Sequence, residues 1–222
     1  MKWGIFGGTF DPVHFGHLRC AEETRETFGL DKIIFVPTHR QPLKRSGAIT
    51  SYAHREKMLR RAIEGNRYFE LSDIEHQRGG TSYSIETIDY FLSLKGKTPD
   101  LYFITGLDAF QDIRLWKNWR RLLALCHFVV MTRPGYEPKS LKEILGTTDA
   151  AEYRYARRED CFRKWGGKAI YFRATTLLDI SSTDIRHRLA HRHSVGYLVP
   201  ESVRAYITRC GLYGKRRRST PS

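Results

Sequence analysis

The chain has 222 residues, with 38 Lys and Arg against 24 Asp and Glu, for a formal net charge of +14. Its 41% hydrophobic and 13% aromatic content excludes a disordered chain, and the length suits a single domain over residues 1–213 followed by a basic, disordered tail at 214–222. No apolar run nears the roughly 20 residues of a membrane helix, and the opening residues carry no signal-peptide pattern, so a soluble cytoplasmic protein is expected. Cys20, Cys126, Cys161 and Cys210 form no C-x-x-C pair, which speaks against a zinc site or a disulfide framework.

Taken in order, residues 3–6 read as a strand running into a Gly-rich turn, and 16–28 as a helix stopped near Gly29. Residues 32–36 (KIIFV) form an unbroken apolar run, the pattern of a strand covered on both faces. A helix over 52–64, a strand over 69–74 and a helix over 84–94 follow. The LYFIT run at 101–105 and HFVVMT at 127–132 predict buried strands, with a helix over 119–125 between them. Residues 137–168 show no clear period. A strand over 168–173 and helices over 182–191 and 200–210 complete the chain. Strands alternating with helices imply an α/β fold, an open parallel sheet flanked by helices, with a small helical portion at the C-terminal end.

Charge is unevenly spread. Segment 1–36 is net −1, whereas 37–67 is +6 and 180–222 is +7, four of the latter from Lys215, Arg216, Arg217 and Arg218. Such an excess suggests anionic partners, and polynucleotides and small phosphorylated substrates are both open. No RNP, helix-turn-helix or zinc-finger pattern supports the nucleic-acid reading.

The most informative stretch is Gly7-Gly8-Thr9-Phe10-Asp11-Pro12-Val13-His14-Phe15-Gly16-His17. Paired glycines let backbone approach a ligand closely, and the helix start that follows presents N–H groups to an anion. The spacing matches neither the Walker loop nor the dinucleotide fingerprint. His14 and His17, three residues apart, share a face if that turn is helical. A capping or surface histidine is the plain alternative, but two of them beside a Gly-Gly turn favour phosphate binding. Near the other end, Ile180-Ser181-Ser182-Thr183-Asp184-Ile185-Arg186 opens a helix, with Ser182 and Thr183 as cap candidates and Arg186 as a cation. Gly106 and Asp108 follow the LYFIT strand at its carboxyl end, where open sheets bind ligands and an Asp can accept from a ribose diol. Asp108 could equally cap the next helix.

G-G-T-F-D-P-x-H-x-G-H and I-S-S-T-x-I-R resemble the two signatures of the nucleotidyltransferase superfamily. Asp73-Ile74-Glu75 with Gly79-Gly80-Thr81-Ser82-Tyr83-Ser84, and Trp116, resemble the bacterial nicotinate mononucleotide adenylyltransferases within it. The resemblance spans residues 1–213 and implies a Rossmann-like sheet and transfer of the adenylyl group of ATP to nicotinate mononucleotide, giving deamido-NAD and pyrophosphate. It implies catalytic roles for His14, His17 and Arg186. It also implies ATP binding by Gly7, Gly8, Thr9, Phe10, His14, His17, Gly106, Asp108, Ile180, Ser182, Thr183 and Arg186. The acceptor would meet Gly8, Thr9, Lys44, Tyr83, Ser84, Trp116 and Arg133, while Trp119 stays a core residue. Mg²⁺ would arrive with the substrate phosphates, without a metal site of the protein's own. The family usually has histidine where Leu43 stands. Phosphopantetheine or nicotinamide mononucleotide is the alternative acceptor, and a homo-oligomer is compatible with the sequence.

Overall fold

The computed structural model describes residues 1–41, 49–94, 96, 98–132, 140–176 and 178–214. Lys44, Leu43, Arg133 and the 215–222 tail lie outside these residues. Eight strands form one sheet: β1 (Lys2–Gly8), β2 (Lys32–Pro37), β3 (Phe69–Leu71), β4 (Asp100–Gly106), β5 (His127–Thr132), β6 (Tyr153–Ala156), β7 (Cys161–Lys164) and β8 (Ala169–Ala174). Their order is β3-β2-β1-β4-β5-β8-β7-β6. The first six in this order run parallel; β7 and β6 extend the sheet antiparallel.

The parallel strands alternate their side chains between two cores. Ile5, Leu101, Phe103, Phe128 and Val130 point into one. It is covered by α4 (Ser84–Ser93), α5 (Leu107–Gln111), α6 (Trp119–Leu125) and α7 (Leu141–Leu145). Phe6, Ile33, Phe35, Ile104 and Val129 point into the other. That face is covered by α1 (Phe15–Phe28), α2 (Tyr52–Ile63), α9 (Ser182–Ala190) and α10 (Glu201–Arg209). Two covered faces are why these strands read as unbroken apolar runs. Each buried Ile, Leu or Phe contributes about 1.5–3 kcal/mol. Gly29, at φ +59°, ends α1 in the left-handed conformation expected of a C-terminal cap.

The structure departs from the sequence reading at several points. The strand expected over 69–74 ends at Leu71, and residues from Ile74 turn into the short helix α3 (Ile74–Arg78). Trp116 is preceded by α5 and by a single 3-10 turn, Ile113–Leu115, where no element was expected. Segment 137–168 supplies α7, α8 (Thr147–Ala150) and the β6–β7 hairpin. No helix among the described residues is long and apolar enough to cross a membrane.

β1 and β4 are neighbours in the sheet, but β1 connects outward to β2 on one side and β4 to β5 on the other. This change of direction opens a crevice at the carboxyl ends of β1 and β4, where ligands settle in sheets of this kind.

Candidate active site

A cleft of about 660 Å³ occupies that crevice. Gly7 and Gly8 at the end of β1, His17 near the start of α1 and Gly106 at the end of β4 line it. Asp108, two residues after Gly106, lines it too, as do Tyr83, Ser84 and Trp116.

The 7–17 stretch leaves the sheet as a tight loop. Phe10 takes a left-handed conformation at φ 49° and buries its ring against Phe6, Phe35 and His17. At 2% exposure it is chiefly a core residue that shapes the loop. A Cβ at Gly8 would stand 2.9 Å from that ring, so the chain can pass there only as glycine. His14 is the residue before α1, with φ −146° and ψ 169°, and makes no side-chain cap. It is therefore not helical, yet its imidazole stacks on that of His17 with centroids 3.7 Å apart and planes at 29°. Gly16 permits this stack, because a Cβ there would meet His14 Nδ1 at 3.0 Å.

Neither His14 Nδ1 nor His17 Nδ1 has a hydrogen-bond partner, although both atoms are buried. Burial lowers the His14 pKa to about 4. Burial, and then the neighbouring His14, holds His17 well below the ordinary value. Both rings are thus neutral at pH 7. Each can give one N–H to a phosphate oxygen without bringing a fixed charge.

The two motifs meet in space. Ser182 Oγ donates to the Pro12 carbonyl at 2.8 Å, and Arg186 Nη1 to the Asp11 carbonyl at 2.7 Å. Arg186 Nη2 reaches Thr183 Oγ1 at 3.3 Å. The cap of α9 is Ser181, whose side chain accepts from Asp184 N, and not Ser182 or Thr183. Ser182 is instead spent on the clasp, and Thr183 stays exposed beside Arg186. Ile180 leads into this turn and packs against the second core, its carbonyl 3.7 Å from the position a Gly16 Cβ would take. The arrangement combines two neutral imidazoles, a hydroxyl, a guanidinium and a helix start: donors suited to a polyphosphate.

Asp108 is exposed in the second position of α5, whose cap is Gly106, so the capping alternative for Asp108 does not hold. Tyr83 precedes α4 and Ser84 begins it, and both line the cleft at the start of that helix. Trp116 lines the cleft and stands edge-on to Phe103 at 5.9 Å, whereas Trp119 is buried at 8% exposure in the first core.

Three residues at this site carried no role in the sequence reading. Glu75, 6% exposed, lines the cleft; its Oε1 accepts from Thr87 at 2.8 Å and its Oε2 is buried without a partner. Gln41 donates to Thr9 Oγ1 at 2.5 Å. Arg55 donates to the Thr9 carbonyl from α2. The signal for Arg55 was present in the sequence: an arginine three and four residues before Met58 and Leu59 falls on the apolar stripe of its helix. Among the described residues no group of three or more His, Cys, Asp or Glu is placed to hold a metal ion.

Residues 5–188 match the cytidylyltransferase-like family. The chain is 41% identical over 225 residues to the "Probable nicotinate-nucleotide adenylyltransferase" of Desulfatibacillum aliphaticivorans, covering 96% of this chain and 100% of that one. It is 42% identical over 215 residues to the protein of the same name from Pelobacter propionicus, covering 97% and 99%. Its fold is similar to that of the Plasmodium falciparum nicotinic acid mononucleotide adenylyltransferase complexed with NaAD, with a TM-score of 0.71 at 20% identity over 96% of this chain and 97% of the other. With relatives this similar over nearly their whole length, the chain belongs to the nicotinate-nucleotide adenylyltransferase family of cytidylyltransferase-like proteins.

Proposed function

We propose that this chain transfers the adenylyl group of ATP to nicotinate mononucleotide, forming deamido-NAD and pyrophosphate in NAD biosynthesis. The observation that carries the reading is the clasp of Ser182 and Arg186 onto the 7–17 loop. It brings Ser182 and Arg186 from the far end of the sequence onto the loop whose Gly7, Gly8, Phe10 and His17 line the cleft.

The nucleophile is a phosphate oxygen of the acceptor, already ionised at neutral pH, so no general base is needed. It attacks the α-phosphorus of ATP in line. The new P–O bond forms as the bond to the bridging oxygen between the α- and β-phosphorus breaks, and the electron pair leaves with pyrophosphate. The protein's part is placement and charge stabilisation. His14 and His17 give N–H groups to the α- and bridging phosphate oxygens. Arg186, Thr183 and the turn from Ile180 hold the departing phosphates.

Gly7, Gly8, Thr9 and Gly106 bring backbone close to the nucleotide, and Asp108 accepts from its ribose. On the acceptor side Trp116 stacks on the pyridine ring. The N–H groups around Tyr83 and Ser84 receive its carboxylate. Lys44 and Arg133 are assigned to the acceptor phosphate from the sequence alone. The divalent cation, Mg²⁺ in this reading, would enter as part of the ATP complex and neutralise phosphate charge.

Pyrophosphate release with ATP and each of nicotinate mononucleotide, nicotinamide mononucleotide and phosphopantetheine tests the reading. Turnover should be fastest with the nicotinate acceptor, since one pocket hydrogen bond separates acid from amide. No release with either pyridine mononucleotide would refute it.

A further inference from the structure

Beneath the cleft, the Arg55 side chain is buried, with the residue 2% exposed. Among the described residues its hydrogen bonds go to three backbone carbonyls: Nε to Thr50 at 3.0 Å, Nη1 to Thr9 at 2.8 Å and Nη2 to Thr38 at 2.8 Å. The three acceptors sit on separate segments. Thr9 is in the phosphate loop, Thr38 follows β2, and Thr50 precedes α2. None of the three carries a charge. Burial lowers the Arg55 pKa, opposed chiefly by the charge of Asp11. A guanidinium buried against neutral acceptors adds little stability that an apolar side chain would not, but only the guanidinium can hold three carbonyls in one fixed fork.

What these carbonyls carry makes the fork informative. From Thr38 the chain runs to His39 and Arg40, and this strap is fastened to Ser82: His39 N donates to Ser82 Oγ at 3.0 Å, and Ser82 N to the Arg40 carbonyl at 2.8 Å. Ser82 immediately precedes the acceptor turn. On the opposite side, the Asp11 carboxylate accepts from Thr50 N at 3.2 Å and from Tyr213 OH at 2.6 Å. The Asp11 carbonyl is the one that Arg186 clasps. Arg55 and Asp11 therefore form one brace, running from the acceptor turn through the phosphate loop to α9.

We propose that Arg55 is a positioning residue for adenylyl transfer, its fork fixing the loop of His14 and His17 against the strap that holds the acceptor turn, with the Asp11–Tyr213 pair as the second strut. Neither group touches substrate; both set the spacing of the reacting atoms, where about 1 Å of error costs about 100-fold in rate. Lysine at position 55 keeps the charge and loses the fork.

The proposal rests on the function given above and is tested in the full chain with Arg55→Lys and Tyr213→Phe. Pyrophosphate release gives kcat and KM for both substrates, and thermal unfolding reports the fold. Arg55→Lys should lower kcat by about tenfold or more while both KM values stay within about threefold, the mark of misplacement rather than lost binding. Tyr213→Phe, which loses only a hydroxyl, should lower kcat by about three- to tenfold at an unchanged midpoint. A folded Arg55→Lys protein with kcat within about twofold of the unaltered chain overturns the proposal, as does a loss confined to KM. If Arg55→Lys does not fold, Tyr213→Phe decides, and an unchanged kcat overturns it. Turnover of the unaltered chain with a different acceptor refutes the acceptor assignment instead, and the two variants are then read with that acceptor.

Discussion

At the amino end of β5, His127 is buried and fully engaged. Its Nδ1 accepts from Ala169 N at 3.0 Å, its Nε2 faces Asp100 Oδ1 at 3.4 Å, and its ring stacks on Tyr102. At the carboxyl end of β1, His14 and His17 are pressed ring to ring, with buried Nδ1 atoms that meet nothing. Burial lowers the pKa in both places, to about 4 for His127 and His14 alike. Depressed basicity therefore does not tell a working histidine from a structural one. Hydrogen bonding does separate the two places: His127 Nδ1 is engaged, whereas His14 Nδ1 and His17 Nδ1 are not. At one end of the sheet the imidazole is bonded within the fold; at the other the two imidazoles stack on each other instead.

The sharpest way to break this contrast is His17→Ala. It should cut kcat by about 100-fold or more in the pyrophosphate-release assay, with the thermal midpoint held, as expected when a donor aimed at developing charge is removed. Near-normal turnover would erase the distinction between the two ends. Next in size is Trp116→Ala, expected to raise the acceptor KM by about tenfold through lost ring stacking, with the ATP KM little changed. Trp119→Ala should instead cost about 3–5 kcal/mol in denaturant unfolding.

The smallest effect belongs to the engaged histidine. His127→Ala leaves the Ala169 N–H unmet and should cost about 1–3 kcal/mol of stability while kcat is retained. The same variant has a signature in acid. Because the folded pKa of His127 lies below its ordinary 6.5, the unfolded chain binds the proton more readily. Stability is full above pH 6.5 and falls as pH drops towards 4, by up to about 1.4 kcal/mol per unit for each such histidine. Urea unfolding at stepped pH should therefore show a shallower acid loss in His127→Ala, with the share of His14 and His17 remaining.

Much of the sheet was legible because KIIFV, LYFIT and HFVVMT lie under two covers and so lack polar alternation. The β6–β7 hairpin was not. Its four-residue strands run antiparallel at the open edge, with Arg154 and Tyr155 exposed and only Tyr153 and Cys161 buried, too little to register as a pattern. α3 and α5 are five residues each, shorter than a helical period needs to be recognised. Within the site, the residue types of both motifs were readable, but their contact was not. No local rule says that Ser182 will bond Pro12, or that Ser181 will take the cap and release it. Arg55 falls on the apolar stripe of its helix, but no sequence pattern says which backbone carbonyls it will meet.

The clasp also has a consequence in time. Ser182 and Pro12 are separated by 170 residues, and Arg186 and Asp11 by 175. A chain synthesised from its amino end at about 5–20 residues per second displays both histidines for roughly 10 seconds or more before α9 exists to meet them. During that interval the 7–17 loop lacks the contacts to Ser182 and Arg186 that hold it in the finished fold. In the function proposed above, the triphosphate site is complete only once α9 has been made.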